Sequence, residues 1–494
     1  MGAQGVKCLA ADKPIAIAYM REVNLLHVCR KTMLVGTPLN VFARRYGEYM
    51  YLFNQNDWRS ALLSVSELFD PLFDRHPTDI DYIAKVVARK TGVAESGIKC
   101  DIIEIVNPLV QDGYLVCGDG VERVDGIGNK EKSPRYGDLK QFATKQKWQG
   151  GISDDKAESG QDSLLAYFAE HPTPFELCID LTQACTARCV HCYASEFEQV
   201  SLPFETVRKV LQEFKRMGGL KVKFTGGECM LHKNFVDILE EASVTDLVIS
   251  VLSNLSVCGA KEIDVLKRCN VAVVQCSLYG ADAKTHEAVT RRPTFAATIQ
   301  AVRELRTAGV PVQIHCPVMR QNIDGIDEVL KFGKDVGIKV SLAASIMSRA
   351  NHDTTNQECE LSDSQLREFM RKYDCVSLTG ECEDICVDKA SAVCGIGTSK
   401  LCLSALGVYY PCNGCYDYSL GTCQSSLEEI WNGEPIRRLR AIKWKDMLEC
   451  GRCKDIGYCS VCPSRNYNAT KDFLKPDPAI CRMARIRHSI ARGG

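Results

Sequence analysis

Six short apolar runs separated by longer amphipathic stretches fill the middle of the chain, and they limit its possible folds more than any other feature. The runs are residues 175–180, 221–225, 247–251, 271–278, 312–318 and 338–343. Between them, residues 204–217, 235–242, 295–308 and 326–336 place apolar side chains at helical spacing. Repeated strand-helix units of this size predict an α/β fold with a parallel sheet, either doubly wound or a full or partial barrel. In such folds reactive groups collect at the carboxyl ends of the strands.

The remaining sequence divides by composition. Region 41–117 opens with an extended aromatic stretch at 49–53, followed by helical spacing at Leu62, Val65, Leu68, Phe69 and Leu72. Two further helical patterns run through Ile83, Val86 and Val87 and through Ile102, Ile103, Ile105, Val106, Leu109 and Val110. Gly113-Tyr114-Leu115-Val116 reads as a chain leaving its helix for a short strand. From Gly118 to Gln161 the chain is polar and Gly-rich, which predicts a linker. The expected boundaries are 1–117, a linker at 118–165, an α/β core at 166–375 and a Cys-rich region at 376–494. A chain of 494 residues is long enough for two or three domains.

A formal net charge of −1 gives no general affinity for nucleic acid or an anionic membrane. No apolar run reaches the ~18 residues that cross a bilayer, and residues 1–15 lack a secretory h-region. The expected location is therefore the cytoplasm. In that reducing compartment, 27 cysteines, sparse before Cys178 and crowded after Cys375, point to metal or redox chemistry rather than a disulfide framework.

Directly after the first run stands Cys185-Thr-Ala-Arg-Cys189-Val-His-Cys192-Tyr193, a CxxxCxxC spacing. Three thiolates on one loop can hold three irons of a 4Fe-4S cube and leave the fourth open to a chelating molecule. The alternatives are a three-thiolate zinc site completed by His191, or buried small apolar side chains. The second run ends in Gly226-Gly227-Glu228, where two glycines permit close backbone approach and a carboxylate can hold an ammonium group.

Together these motifs resemble the radical S-adenosylmethionine (SAM) family. The resemblance implies a partial (β/α)6 TIM-like barrel whose CxxxCxxC cluster binds SAM through its open iron and yields a 5'-deoxyadenosyl radical. It implies that Gly226, Gly227 and Glu228 serve the SAM amino group. Ser253 and Asn254 after the third strand, Ser277 after the fourth and a following Arg, Arg291 or Arg292, would serve its carboxylate and ribose. Tyr193 would lie against the adenine. Relatives carry SLDG where this chain has Ser277-Leu278-Tyr279-Gly280, so Tyr279 replaces an Asp, and Cys229 stands where Pro is frequent.

The C-terminal region holds Cys394, Cys402, Gly407, Cys412, Cys450, Cys453, Cys459, Cys462 and Cys481. Taken alone, its two CxxC pairs fit a zinc knuckle. The wider pattern is similar to the SPASM extension of radical SAM enzymes, with a final spacing one residue shorter. That resemblance implies two auxiliary 4Fe-4S clusters, one on Cys394, Cys402, Cys412 and Cys462, the other on Cys450, Cys453, Cys459 and Cys481. Cys415 and Cys423 compete with Cys402. Three 4Fe-4S clusters and SAM are thus the expected cofactors.

The N-terminal region resembles PqqD-like winged-helix modules, which dock a precursor-peptide leader as an added strand. The implied function is that of a peptide maturase. It would abstract a hydrogen from a ribosomal precursor peptide and form a Cys sulfur-to-carbon thioether, with a flavodoxin- or ferredoxin-like electron donor as partner. Carbon-carbon crosslinking, decarboxylation, excision and sulfatase-type protein maturation use the same parts. A non-catalytic iron-sulfur electron carrier or a zinc adaptor is the alternative of another class.

Overall fold

The computed structural model describes residues 33–65, 67–76, 78–119, 164, 167–194, 197–373 and 391–493. The chain forms two compact units, Met1–Tyr167 and Phe168–Gly494. The expected linker lies outside the described residues apart from positions 118, 119 and 164, and so does the 376–390 opening of the Cys-rich region.

The first unit contains β1 (Met33–Gly36), β2 (Val41–Tyr46), β3 (Tyr49–Asn54), β4 (Ser60–Ser64), β5 (Thr78–Asp79), α1 (Ile80–Thr91), α2 (Glu95–Gln111) and β6 (Val116–Asp119). Strands β2, β3 and β4 form an antiparallel meander, and β1 pairs antiparallel with both β5 and β6. The Asp79 carboxylate caps α1 by accepting from the Asp81 N–H, and Gly92 ends it at φ +73°. Ile83 and Val87 of α1 pack with Ile102 and Val106 of α2, and with Val35 and Leu52 from the strands. As expected, the chain turns at Gly113 and enters β6.

The helical spacing at 62–72 is a misreading. Leu62 and its neighbours form β4 on the edge of β3, and residues Glu67–Phe73 form a 3-10 helix with Pro71 inside it. The apolar residues of a strand end and a following turn happened to match the helical period, and Pro71 removes the N–H that an α-helix there would need.

The second unit is built on a nine-stranded mixed sheet in the order β12-β11-β10-β9-β8-β7-β13-β14-β15. Its strands are β7 (Glu176–Thr182), β8 (Lys221–Gly226), β9 (Val248–Ser253), β10 (Val273–Ser277), β11 (Val312–Pro317), β12 (Lys339–Ala343), β13 (Lys400–Leu403), β14 (Val408–Tyr410) and β15 (Gly421–Thr422). Strands β7 to β12 run parallel in sequence order, each within a few residues of an expected run. Strand β13 joins β7 in parallel, and the β13-β14-β15 meander extends the sheet antiparallel. With β12 and β15 at its edges, the hydrogen-bonded order is open.

Helices α3 (Phe204–Arg216), α4 (Phe235–Val244), α5 (Ala260–Arg268), α6 (Ala283–Thr290), α7 (Phe295–Ala308) and α8 (Ile326–Val336) lie between the parallel strands, and α9 (Asp363–Tyr373) follows β12. Side chains alternate along β7 and β8 up to a register shift between Asp180 and Thr182. Leu177, Ile179 and Leu181 of β7 join Val207, Leu211 and Phe214 of α3 in the core, as do Val222 and Phe224 of β8. By the period of two, Glu176, Cys178 and Asp180, with Lys221, Lys223 and Thr225, fall on the other face. In β7 and β8 the apolar side chains therefore face the helices and the mostly polar ones face away from them.

The Cys-rich region continues through α10 (Leu427–Trp431), α11 (Glu434–Arg440), α12 (Pro463–Thr470) and α13 (Pro478–Ala491). Gly407 turns the chain between β13 and β14 at φ +73°, and a Cβ there would lie 2.7 Å from the Cys423 Sγ. Among the described residues, no helix is long and apolar enough to cross a membrane.

Candidate functional site

The CxxxCxxC segment is the loop leaving the carboxyl end of β7, and it is fastened on two sides. The Arg188 and Val190 N–H groups donate to the Thr290 and Val289 carbonyls at 2.8 and 3.0 Å, which ties it to the end of α6. The Asn356 side chain donates to the His191 and Cys192 carbonyls at 3.1 and 3.3 Å. Cys185, Cys189 and Cys192 are free thiols, each partly exposed. Burial, with the other loop thiols adding to it, pushes Cys185 up to about 11 and Cys189 up to about 12, and burial raises Cys192 as well. Such thiols become ligands only when a metal's positive charge replaces their protons.

Among the described residues, no three His, Cys, Asp or Glu side chains converge on a point that one ion would fill. His191, the fourth ligand of the zinc alternative, instead packs its ring edgewise on Tyr279, with centroids 5.1 Å apart. Three separate thiols on one short loop fit a cube, in which each thiolate takes its own iron.

The glycines at the end of β8 are required by the same loop. A Cβ on Gly226 would lie 2.4 Å from the Thr182 carbonyl oxygen, and one on Gly227 would lie 2.3 Å from that of Ala184. The Gly227 and Glu228 N–H groups donate to those two carbonyls, both at 2.8 Å. Glu228 is fully buried, and its carboxylate accepts from the Ser253 hydroxyl and the Asn254 N–H at 2.8 Å and from the Met230 N–H at 3.1 Å. Burial raises its pKa, and these three donors work against that rise. Glu228 thus positions the Ser253-Asn254 turn. The Asn254 amide in turn reaches the Thr186 hydroxyl at 3.0 Å and the Cys185 Sγ at 3.8 Å.

Ser277 ends β10 opposite His315, and its hydroxyl bonds to Tyr279. The Tyr279 hydroxyl stands 3.7 Å from the Cys189 Sγ and 3.5 Å from the His191 Nε2. Burial, with His315 nearby, holds His191 down to about 4. Arg291 is exposed at the C-cap of α6, at φ +54°, one residue beyond the carbonyl that binds the cysteine loop. Tyr193 is stacked on Tyr416.

In the Cys-rich region, the four cysteines expected to share one cluster come together. Cys459 is pushed up to about 12 by burial and by the Cys481, Cys450 and Cys453 thiols beside it. Cys481 is delivered by α13, which the Tyr458–His488 ring stack (4.8 Å) and the His488–Asp455 bond (2.5 Å) fasten to the cysteine turns. In the other set, Cys394 lies near Cys462 and Cys412, and Cys402, also near Cys412, sits in β13 opposite Cys178 of β7. Sequence reasoning missed Cys178 and Asp180, which sit on β7, and Asn413 and Tyr416, which lie in the turn after β14; none carries a local motif.

Residues 179–333 match the model of the radical SAM superfamily, and residues 394–454 match that of the SPASM iron-sulfur cluster-binding domain. The chain is similar to the antilisterial bacteriocin subtilosin biosynthesis protein AlbA of Bacillus subtilis, at 25% identity over 335 residues, covering 64% of this chain and 72% of that one. It is also similar to the mycofactocin maturase MftC of Mycolicibacterium smegmatis, at 25% identity over 311 residues, covering 58% and 77%. Among solved structures, Streptococcus suis SuiB bound to its precursor peptide SuiA has the same fold, with TM-score 0.58 and 14% identity over 90% of this chain and 99% of that one. Fold and cysteine loop together define an iron-sulfur oxidoreductase. The chain is a radical SAM enzyme carrying a SPASM iron-sulfur domain.

Proposed function

We propose that this enzyme is a cytoplasmic peptide maturase that forms a Cys sulfur-to-carbon thioether in a ribosomal precursor peptide. The observation that carries the reading is the likeness to the SuiB–SuiA complex, which extends over 90% of the chain rather than over the core alone. The names of the bacteriocin and mycofactocin relatives support the same substrate class.

Cys185, Cys189 and Cys192 would hold the SAM-binding cluster in a partial (β/α)6 barrel. The turns at Gly226-Gly227, Ser253-Asn254 and Ser277, with Arg291, would frame SAM. The remaining cysteine sets would hold two auxiliary clusters. When bound, SAM and its cluster supply a carbon radical able to take a hydrogen atom from the peptide. The mostly polar face of β7 and β8, with Asp180 near Tyr193 and Tyr416, gives an extended peptide polar groups to bind. In the N-terminal unit, an edge of the β2-β3-β4 or β5-β1-β6 sheet would take the leader as an added strand. A small flavodoxin- or ferredoxin-like protein would deliver electrons.

The test is anaerobic reconstitution and reduction, followed by assay of SAM conversion to 5'-deoxyadenosine. Mass spectrometry of a co-expressed neighbouring-gene peptide should then find a loss of two hydrogens at a Cys-containing link. Absence of 5'-deoxyadenosine from protein shown to carry its clusters would leave the electron-carrier reading standing.

A further inference from the structure

We propose that Cys415 completes the auxiliary cluster of Cys394, Cys412 and Cys462, and that Cys402 is no ligand but half of a cross-strand thiol pair with Cys178. This deepens the reading of residues 394–481 as cluster-binding and rests on it.

Cys402 is already enclosed. Its Sγ–H donates to the Asn413 Oδ1 at 2.7 Å, while the Asn413 Nδ2 donates to the Cys178 Sγ at 3.4 Å. Cys178 and Cys402 are direct partners in the parallel pairing of β7 and β13, so one amide bridges two neighbouring thiols with both its groups. Both side chains are buried.

Cys415 stands differently. Residues 412–415 form a turn closed by the Cys415 N–H and the Cys412 carbonyl at 3.1 Å. Gly414 lets that turn press on the start of α12, since a Cβ there would lie 2.9 Å from the Ser464 Cβ. The fully buried Cys415 Sγ ends 3.6 Å from the Ser464 hydroxyl, and Cys462 is the N-cap of the same helix. Cys412, Cys415 and Cys462 therefore meet at one helix start, with the Cys394 thiol beside Cys462 and Cys412. The Ser464 and Arg465 N–H groups at this helix start bond to the Cys462 thiol, an arrangement that favours a thiolate there.

The experiment removes the three CxxxCxxC cysteines by alanine substitution, so that only auxiliary iron remains, and adds Cys415→Ala, Cys402→Ala or Cys178→Ala. Iron and sulfide are counted and the EPR spectrum is taken after anaerobic reconstitution and reduction. Cys415→Ala should change the auxiliary spectrum and lower iron toward about half, as expected when one of two clusters is lost. Cys402→Ala and Cys178→Ala should match the parent in both. A parent-like Cys415→Ala, or a Cys402→Ala that loses iron or alters the spectrum, would overturn the assignment. If Cys415→Ala yields no folded protein, the Cys402→Ala result decides alone. A parent without auxiliary iron would instead defeat the cluster-binding reading itself.

Discussion

The Tyr193 ring lies flat on the Tyr416 ring, with centroids 5.1 Å apart and planes at 16°. Tyr193 follows Cys192 and Tyr416 follows Cys415, so the stack clasps the loop of the radical SAM core to a cysteine turn of the SPASM region. One face of the ring expected against adenine is thus covered by protein. Tyr416→Phe should keep the contact, whereas Tyr416→Ala, which deletes a half-buried ring, should destabilise by up to about 3 kcal/mol. Urea denaturation of the two variants measures the difference.

Gly227→Ala has no room to be absorbed, because its Cβ would meet the Ala184 backbone next to Cys185. The cysteine loop must shift or β8 must distort, at a cost of about 1–3 kcal/mol. Reduced iron content after reconstitution, with the auxiliary EPR signal intact, is the expected result.

Glu228→Ala strands the Ser253 hydroxyl and the Asn254 and Met230 N–H groups in a buried site. Each lost partner costs about 1–3 kcal/mol, so this single change should shift the unfolding midpoint strongly. An unchanged midpoint would show that the carboxylate does not organise the turn.

Asp180 gives a pH signature. Burial raises its pKa from 3.8 to about 7, so the folded chain holds this proton more tightly than the unfolded one. The stability linked to it is complete below the unfolded value and drains away as pH rises through about 7. Asp180→Asn should therefore melt above the wild type at pH 8 and converge with it toward pH 4.

Cysteine replacements separate the clusters by function. Cys189→Ala should abolish SAM cleavage, while Cys459→Ala should retain some cleavage yet form no crosslink, both read by chromatography of 5'-deoxyadenosine and by peptide mass. Deleting residues 1–117 should weaken peptide binding and leave SAM cleavage intact.

The strands of the core were legible because each is a short apolar run whose helix-facing residues, such as Leu177 and Phe224, dominate its composition. Helices α5, α6 and α9 escaped notice because only a few of their residues are buried, among them Val265, Val289 and Leu366. The motifs named the cysteine loop and its GGE turn, but the role of Glu228 depends on Ser253 and Asn254, which only the adjacency of β8 and β9 brings near. The Cys178–Asn413 bond joins residues 235 positions apart, and nothing local announces it.

Strand β13 carries one further consequence. Because it is hydrogen-bonded directly to β7, the Cys-rich region is a continuation of the catalytic sheet rather than a bead on a tether. Chimeras that exchange this region between related enzymes would sever a ladder unless they also reproduce the surface of β7. Substrate-range engineering here should cut within the helical crossovers and leave the β7–β13 seam whole.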